Sequence, residues 1–262
     1  MHCAKPERRA PVRRLRALAA AGLLATAWLA GGLAHGAGLE PFTHVYRGKI
    51  SFVPVEAVFT LDRDAEGQWR FDSVSRTRGW AAWKKGEIAE SSRFELTDDG
   101  LRPLTYRKLD GFSERDRNVE TRFARGEVSS LYRDDTIVHL AQDGPVYDLL
   151  SLRLALRLDL ARDRLAERYQ VVDGRGRLRV ITIRRHGAEA INTGFGRIEA
   201  ERLEYSTRSD RRYVVWFAPE LDHVLVRLEE HRDGRLRGWL TLSSRTDEEK
   251  RQRGTRPQSD EP

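Results

Sequence analysis

Between Asp148 and Leu160 the chain reads DLLSLRLALRLDL, and no other stretch limits the fold so tightly. Leu150, Leu152, Leu154, Leu156, Leu158 and Leu160 alternate, which is the period of a strand. Yet every residue from Leu149 to Leu160 except Ser151 and Asp159 is a strong helix former. Asp148 can cap a first turn, and Arg153 and Arg157 fall four apart on one helical stripe. This favours a helix over the segment, with a strand as the competing reading. A helix with leucine on most of its faces has to be enclosed. The segments on either side read as strands and turns, so the expected fold class is mainly β: a single strongly curved antiparallel sheet, an open barrel or clam, clasping one central α-helix.

The flanking pattern has period two. Val53, Val55, Ala57, Phe59 and Leu61 alternate with Pro54, Glu56, Val58, Thr60 and Asp62, the mark of a half-buried strand, with Pro54 suggesting an edge or a bulge. Further strands follow near Trp69–Ser73, Phe94–Leu96, Leu104–Leu109, Val119–Phe123 and Val128–Tyr132, broken by Asp and Gly. After the leucine stretch they resume at Tyr169–Val171, Leu178–Ile183, Phe195–Tyr205, Tyr213–Phe217, Val224–Leu228 and Leu236–Leu242. Asp173-Gly174-Arg175-Gly176 reads as a hairpin turn; no helix follows it to make a phosphate cradle. One β domain over 37–246 is expected, then a disordered charged tail over 247–262 with no apolar residue to bury.

The first 36 residues have the three-part order of a secretory signal peptide. A basic region through Arg16 precedes an apolar run from Leu18 to Leu33 and then Ala34-His35-Gly36. Cleavage after Gly36 would send the chain to the periplasm; an uncleaved inner-membrane anchor is the alternative. The formal net charge of +7 belongs mostly to this leader. Without residues 1–36, 41 basic side chains face 39 acidic ones. Such a balance gives no general reason to expect a nucleic acid partner. Cys3 is the only cysteine, so the exported chain has no disulfide and no cysteine-based metal site. Nothing in the pattern demands an oligomer, and a monomer is expected.

Three stretches resemble the bacterial exported proteins grouped as domain of unknown function 3108. They are Glu90-Ser91-Ser92-Arg93-Phe94 with Gly100-Leu101-Arg102-Pro103-Leu104-Thr105-Tyr106, then Asp148-Leu149-Leu150-Ser151-Leu152, then Trp216-Phe217-Ala218-Pro219-Glu220-Leu221. The likeness covers about Pro41 to Ser244 in the family's order. It departs at Leu225, where the family pattern has a proline before the valine. The resemblance implies a strongly curved antiparallel sheet around a helix, similar in outline to periplasmic lipoprotein carriers. It supplies no established activity and no catalytic residue.

The residues themselves point away from catalysis. His44, His139, His186, His223 and His231 are scattered, with no H-E-x-x-H, no G-x-S-x-G and no thiol nucleophile, so no catalytic, metal or cofactor residues are assigned. Arg175, Arg177, Arg179, Arg184 and Arg185 lack the interleaved aromatics of a single-strand binder and read as a solvated strand face. Gly79-Trp80-Ala81-Ala82-Trp83-Lys84-Lys85-Gly86 reads either as a helical turn plugging one end of the sheet, or as an aromatic lip or membrane contact. Three functions follow. The first is a non-enzymatic binder or carrier of an apolar or lipid-like ligand, with Leu152 and Leu156 lining a wall and Trp80 and Trp83 its lip. The second is a structural or assembly factor of the cell envelope, partnered by an envelope protein or a membrane surface. The third is a hydrolase. A cavity beside Leu152 and Leu156 separates the first from the second.

Overall fold

The computed structural model describes residues 39–83, 86–112, 117–141 and 143–246. The leader over 1–36 and the tail over 247–262 lie outside the described residues. In chain order the strands are β1 (Phe42–Ile50), β2 (Val53–Arg63), β3 (Trp69–Thr77), β4 (Glu87–Thr97), β5 (Gly100–Asp110), β6 (Val119–Ala124), β7 (Glu127–Tyr132), β8 (Asp135–Leu140) and β9 (Val146–Asp148). Helix α1 (Leu149–Ala161) follows. Then come β10 (Arg168–Val172), β11 (Leu178–Thr182), β12 (Arg184–Thr193), β13 (Gly196–Arg208), β14 (Arg211–Ala218), β15 (Val224–Arg232) and β16 (Arg235–Arg245).

The leucine stretch is a helix, and its first turn explains why. Asp148 sits at the N-cap, and its side chain accepts from the backbone N–H of Leu150 and Ser151, both at 2.8 Å. The Ser151 hydroxyl returns the favour, accepting from the Asp148 N–H at 3.0 Å. This reciprocal pairing satisfies donors that a helix start otherwise leaves orphaned. All six leucines of the alternating set are buried. Leu149, Asp159 and the stripe of Arg153 and Arg157 keep partial exposure, and Ala161 at the C-terminal end is exposed.

Thirteen strands form one antiparallel sheet in the order β12-β13-β14-β15-β16-β1-β2-β3-β4-β5-β6-β7-β8. The chain threads it as an up-and-down meander that enters at β1 in the middle, runs out to β8, and returns from β12 to β16 to pair with β1. The expectation of one strongly curved sheet is corrected on two points. First, the sheet is neither closed nor strongly curled, and β8 and β12 are its ends. Second, there is a separate three-stranded sheet, β11-β10-β9, in which β9 and β10 run parallel. Parallel neighbours need a long crossover, and α1 is that crossover. The helix packs on β3, β4 and β5 in one half of the large sheet and on β15 in the other, while β9 touches β5 and β11 touches β13. Helix and small sheet thus join the two halves where hydrogen bonds do not.

Pro54 lies in a central strand, not at an edge or bulge. It pairs with Lys49 one step from the β1–β2 turn, with its backbone facing β3, where β3 has already ended at Thr77 opposite Val55. Its carbonyl accepts from Arg78 N at 2.9 Å, and the N–H that proline lacks has no ladder partner to lose.

Candidate functional site

Leu152 and Leu156 do not line a cavity wall. Both are 0% exposed within the main core cluster, and neither borders any of the cavities described here. The space on the Arg153–Arg157 side of the helix amounts to about 20 Å³ between Phe42, Phe59, Leu154, Arg153 and Arg157, little more than one water molecule needs. The interior is filled because leucine occupies every helical face apart from the Arg153–Arg157 stripe, and those faces are buried in the main core. Nothing the length of an acyl chain fits there.

Trp80 and Trp83 take a different position, and the structure does not join them to Leu152 and Leu156. Gly79–Ala81 forms a short 3-10 turn between β3 and β4, closed by Ala81 N to Arg78 O at 3.2 Å and Ala82 N to Gly79 O at 3.1 Å. The helical turn expected here is present, but its buried residue is Ala81. Trp80 and Trp83 are 71% and 78% exposed. They are not the plug.

The up-and-down order brings the β1–β2, β7–β8, β13–β14 and β15–β16 turns to the same end of the large sheet as this 3-10 turn. At the β1–β2 turn Ser51 and Phe52 both adopt left-handed backbone, with φ of 47° and 73°. Phe52 is 85% exposed, and Leu236 and Ile50 are also exposed nearby in the pairing, where Ser51 N donates to Arg237 O at 2.7 Å. Lys49, Arg235 and Arg237 are exposed around them. The result is one end carrying Phe52, Trp80, Trp83 and Leu236 among cations. Sequence reasoning missed Phe52 and Leu236. A two-residue hairpin normally signals itself with Asn-Gly or Asp-Gly, and Ser51-Phe52 carries neither. The absence of that signal, with a bulky residue in its place, was the available clue.

Two of the three stretches that carry the family resemblance meet at the start of the helix. Ser92 of β4 donates to Asp148 Oδ2 at 2.7 Å, and Ser151 does the same at 2.7 Å. Two residues away on β4, Glu90 accepts from the Tyr106 hydroxyl of β5 at 2.7 Å. Burial pushes the Asp148 carboxyl above its usual range, and its hydrogen bonds to Ser151, Ser92 and Leu150 only partly offset that. Burial acts the same way on Glu90, but Lys108, Arg153 and Tyr106 outweigh it and hold that carboxyl below its usual value. Tyr106 is pushed well up by burial and by Glu90 and Asp148. Every one of these groups is spent on its neighbours, so the cluster fastens the helix N-terminus to β4 and β5. No group of three or more His, Cys, Asp or Glu side chains that could hold a metal ion occurs among the described residues.

A mainly antiparallel sheet of this extent, with one buried crossover helix and its sealed polar anchor, defines a β-barrel-like class of protein. The chain belongs to the family described as protein of unknown function (DUF3108), whose pattern matches residues 44–237. It is similar to the crystal structure of a beta-barrel-like protein of the domain of unknown function DUF1849 from Brucella abortus, with a TM-score of 0.52. The two share 9% identity over 79% of this chain and 97% of that one, a likeness that speaks for the fold alone. None of the curated proteins compared with the chain matches it.

Proposed function

We propose that the protein is exported to the periplasm, where it acts as a non-enzymatic lipid-binding protein that meets lipid at the turn-bearing end of its sheet. The leader's basic, apolar and small-residue order supports export. One observation carries the lipid reading. Phe52, Trp80 and Trp83 are 85%, 71% and 78% exposed at one end, while Leu152 and Leu156 inside are 0% exposed. Tryptophan is favoured where an aqueous phase meets hydrocarbon, and neighbouring cations add attraction to anionic lipid. The backbone supports the same reading: left-handed geometry at Phe52 costs about 1–2 kcal/mol, and such strain tends to gather at functional positions.

The test is co-sedimentation with phosphatidylcholine vesicles. Wild type should pellet with them, and the triple variant Phe52→Ala, Trp80→Ala, Trp83→Ala should stay in the supernatant with its Tm nearly unchanged. A wild type that ignores vesicles, or a triple variant that melts far lower, removes the reading. The envelope assembly factor is the second reading, favoured by the end strand β8, where Val138 is 54% and Leu140 82% exposed. An exposed edge of that kind can receive a partner's strand.

A further inference from the structure

The same end of the sheet holds a cleft with a different chemistry, about 270 Å³ in volume. Lys108 and Asp110 of β5, Arg117, and Tyr132 and Arg133 at the end of β7 line it from one half of the sheet. Thr207 and Arg208 of β13, Arg211 of β14 and Arg232 of β15 line it from the other. The β10–β11 turn adds Asp173, Gly174 and Arg175. Seven of these side chains are cations and two are carboxylates.

Much of that charge is already matched. Arg208 and Arg232 reach Asp210 at 2.8 and 3.8 Å, and Arg211 reaches Glu230 at 3.3 Å. Lys108 acts on Glu90, and Asp173 lies 3.5 Å from Arg179. Arg117 and Arg175 are different. Both are exposed, and no carboxylate among the described residues pairs with either. Among the described lining residues only Asp110 is left to oppose them, so those residues carry a positive excess.

Arg175 is also held in place. Asp173 Oδ1 accepts from Arg175 N at 2.9 Å and Arg177 N at 3.2 Å, and its carbonyl accepts from Gly176 N at 2.9 Å. Gly176 has φ of 73° and approaches β7 so closely that a Cβ would lie 2.6 Å from Ser130 Cβ. A turn fixed this way sets where the Arg175 side chain leaves the backbone, so binding has to order only its rotamers and not the loop.

We propose that this cleft binds a small phosphate-bearing anion, gripped by Arg117 and Arg175. Guanidinium forks match phosphate oxygens with two hydrogen bonds each, and surrounding paired arginines lower the cost of bringing in negative charge. The volume suits a diphosphate or a phosphorylated headgroup rather than a nucleic acid strand. Tyr132, the single aromatic of the lining, lies under Arg133 at 5.2 Å and is partly buried against the core, and single-strand binders use several exposed aromatics in a row. The phosphate can be free in solution or carried by a lipid, and the cleft does not depend on the lipid reading above.

Calorimetric titration of the full chain with pyrophosphate tests the free anion. Wild type should bind saturably and more weakly as salt rises. Arg117→Ala with Arg175→Ala should weaken binding by about tenfold or more, since each removes charge-assisted hydrogen bonds. Arg47→Ala with Arg76→Ala, exposed positions elsewhere on the sheet, should leave binding unchanged. A second arm compares neutral vesicles with vesicles containing phosphatidic acid. If pyrophosphate does not bind but the Arg117/Arg175 variant loses the extra binding to phosphatidic acid, the cleft holds a lipid-borne phosphate. If wild type responds to neither, or the Arg117/Arg175 variant matches it in both arms, the proposal is overturned. Failure of the lipid reading is seen separately, on neutral vesicles alone.

Discussion

Phe52 carries more of the account than any other single residue. It occupies a turn position where glycine or asparagine costs nothing, it packs under no neighbour, and it stands 85% exposed. Phe52→Gly should therefore raise stability by about 0.5–1 kcal/mol, the left-handed cost less the entropy of glycine in the unfolded chain. The same change should weaken vesicle binding. Urea unfolding gives the first quantity, and a fall in stability would mean that Phe52 packs against the protein after all. At this scale the sequence was unevenly legible. Trp80 and Trp83 stood out because two tryptophans three apart beside lysines are rare in a loop. Arg117, Arg208, Arg211 and Arg232 did not, because Arg117 precedes β6, the others end or begin β13, β14 and β15, and only the meander gathers them. Arg175 was read with its neighbours as a solvated strand face; it is exposed, but it lies on the β10–β11 turn, whereas Arg184 and Arg185 are on a strand and paired with Glu204 and Glu201.

Among the elements, α1 decides the interior. Its helical state was legible because composition and the Asp148 cap agreed, and the alternation of leucines turned out to reflect burial around most of the helix. What could not be read was β9. Three residues are too few to show a period, yet they turn the helix into a crossover between parallel strands and create the second sheet. That addition is also why no ligand chamber remains beside Leu152. Leu152→Ala or Leu156→Ala should each cost about 2–5 kcal/mol, as buried leucines do when a cavity is left behind. Chemical denaturation measures it; losses below about 0.5 kcal/mol at both sites would contradict the burial of these two leucines in the core.

Taken whole, the molecule separates its two ends and its inside. The strands and most of their breaks were visible as alternation between Gly and Asp punctuation, which is why the mainly β, antiparallel class and one helix could be anticipated. Closure and curvature were not visible, because they depend on how the helix and small sheet fill the space between the halves, and single-strand patterns say nothing of that. The interior is committed to packing, so function falls to the surface, and one end of the sheet gathers exposed aromatics beside a cationic cleft. Tryptophan fluorescence in vesicles of brominated lipid tests this most directly. Trp69 and Trp216 are 5% exposed and Trp239 is half-buried beneath the Arg227 guanidinium at 5.3 Å, so most of the quenching on membrane contact should come from the exposed Trp80 and Trp83. The account predicts strong quenching of wild type that is lost in Trp80→Phe with Trp83→Phe while residual emission from the core remains. Quenching that persists unchanged in the double variant, or that never appears in wild type, would contradict it.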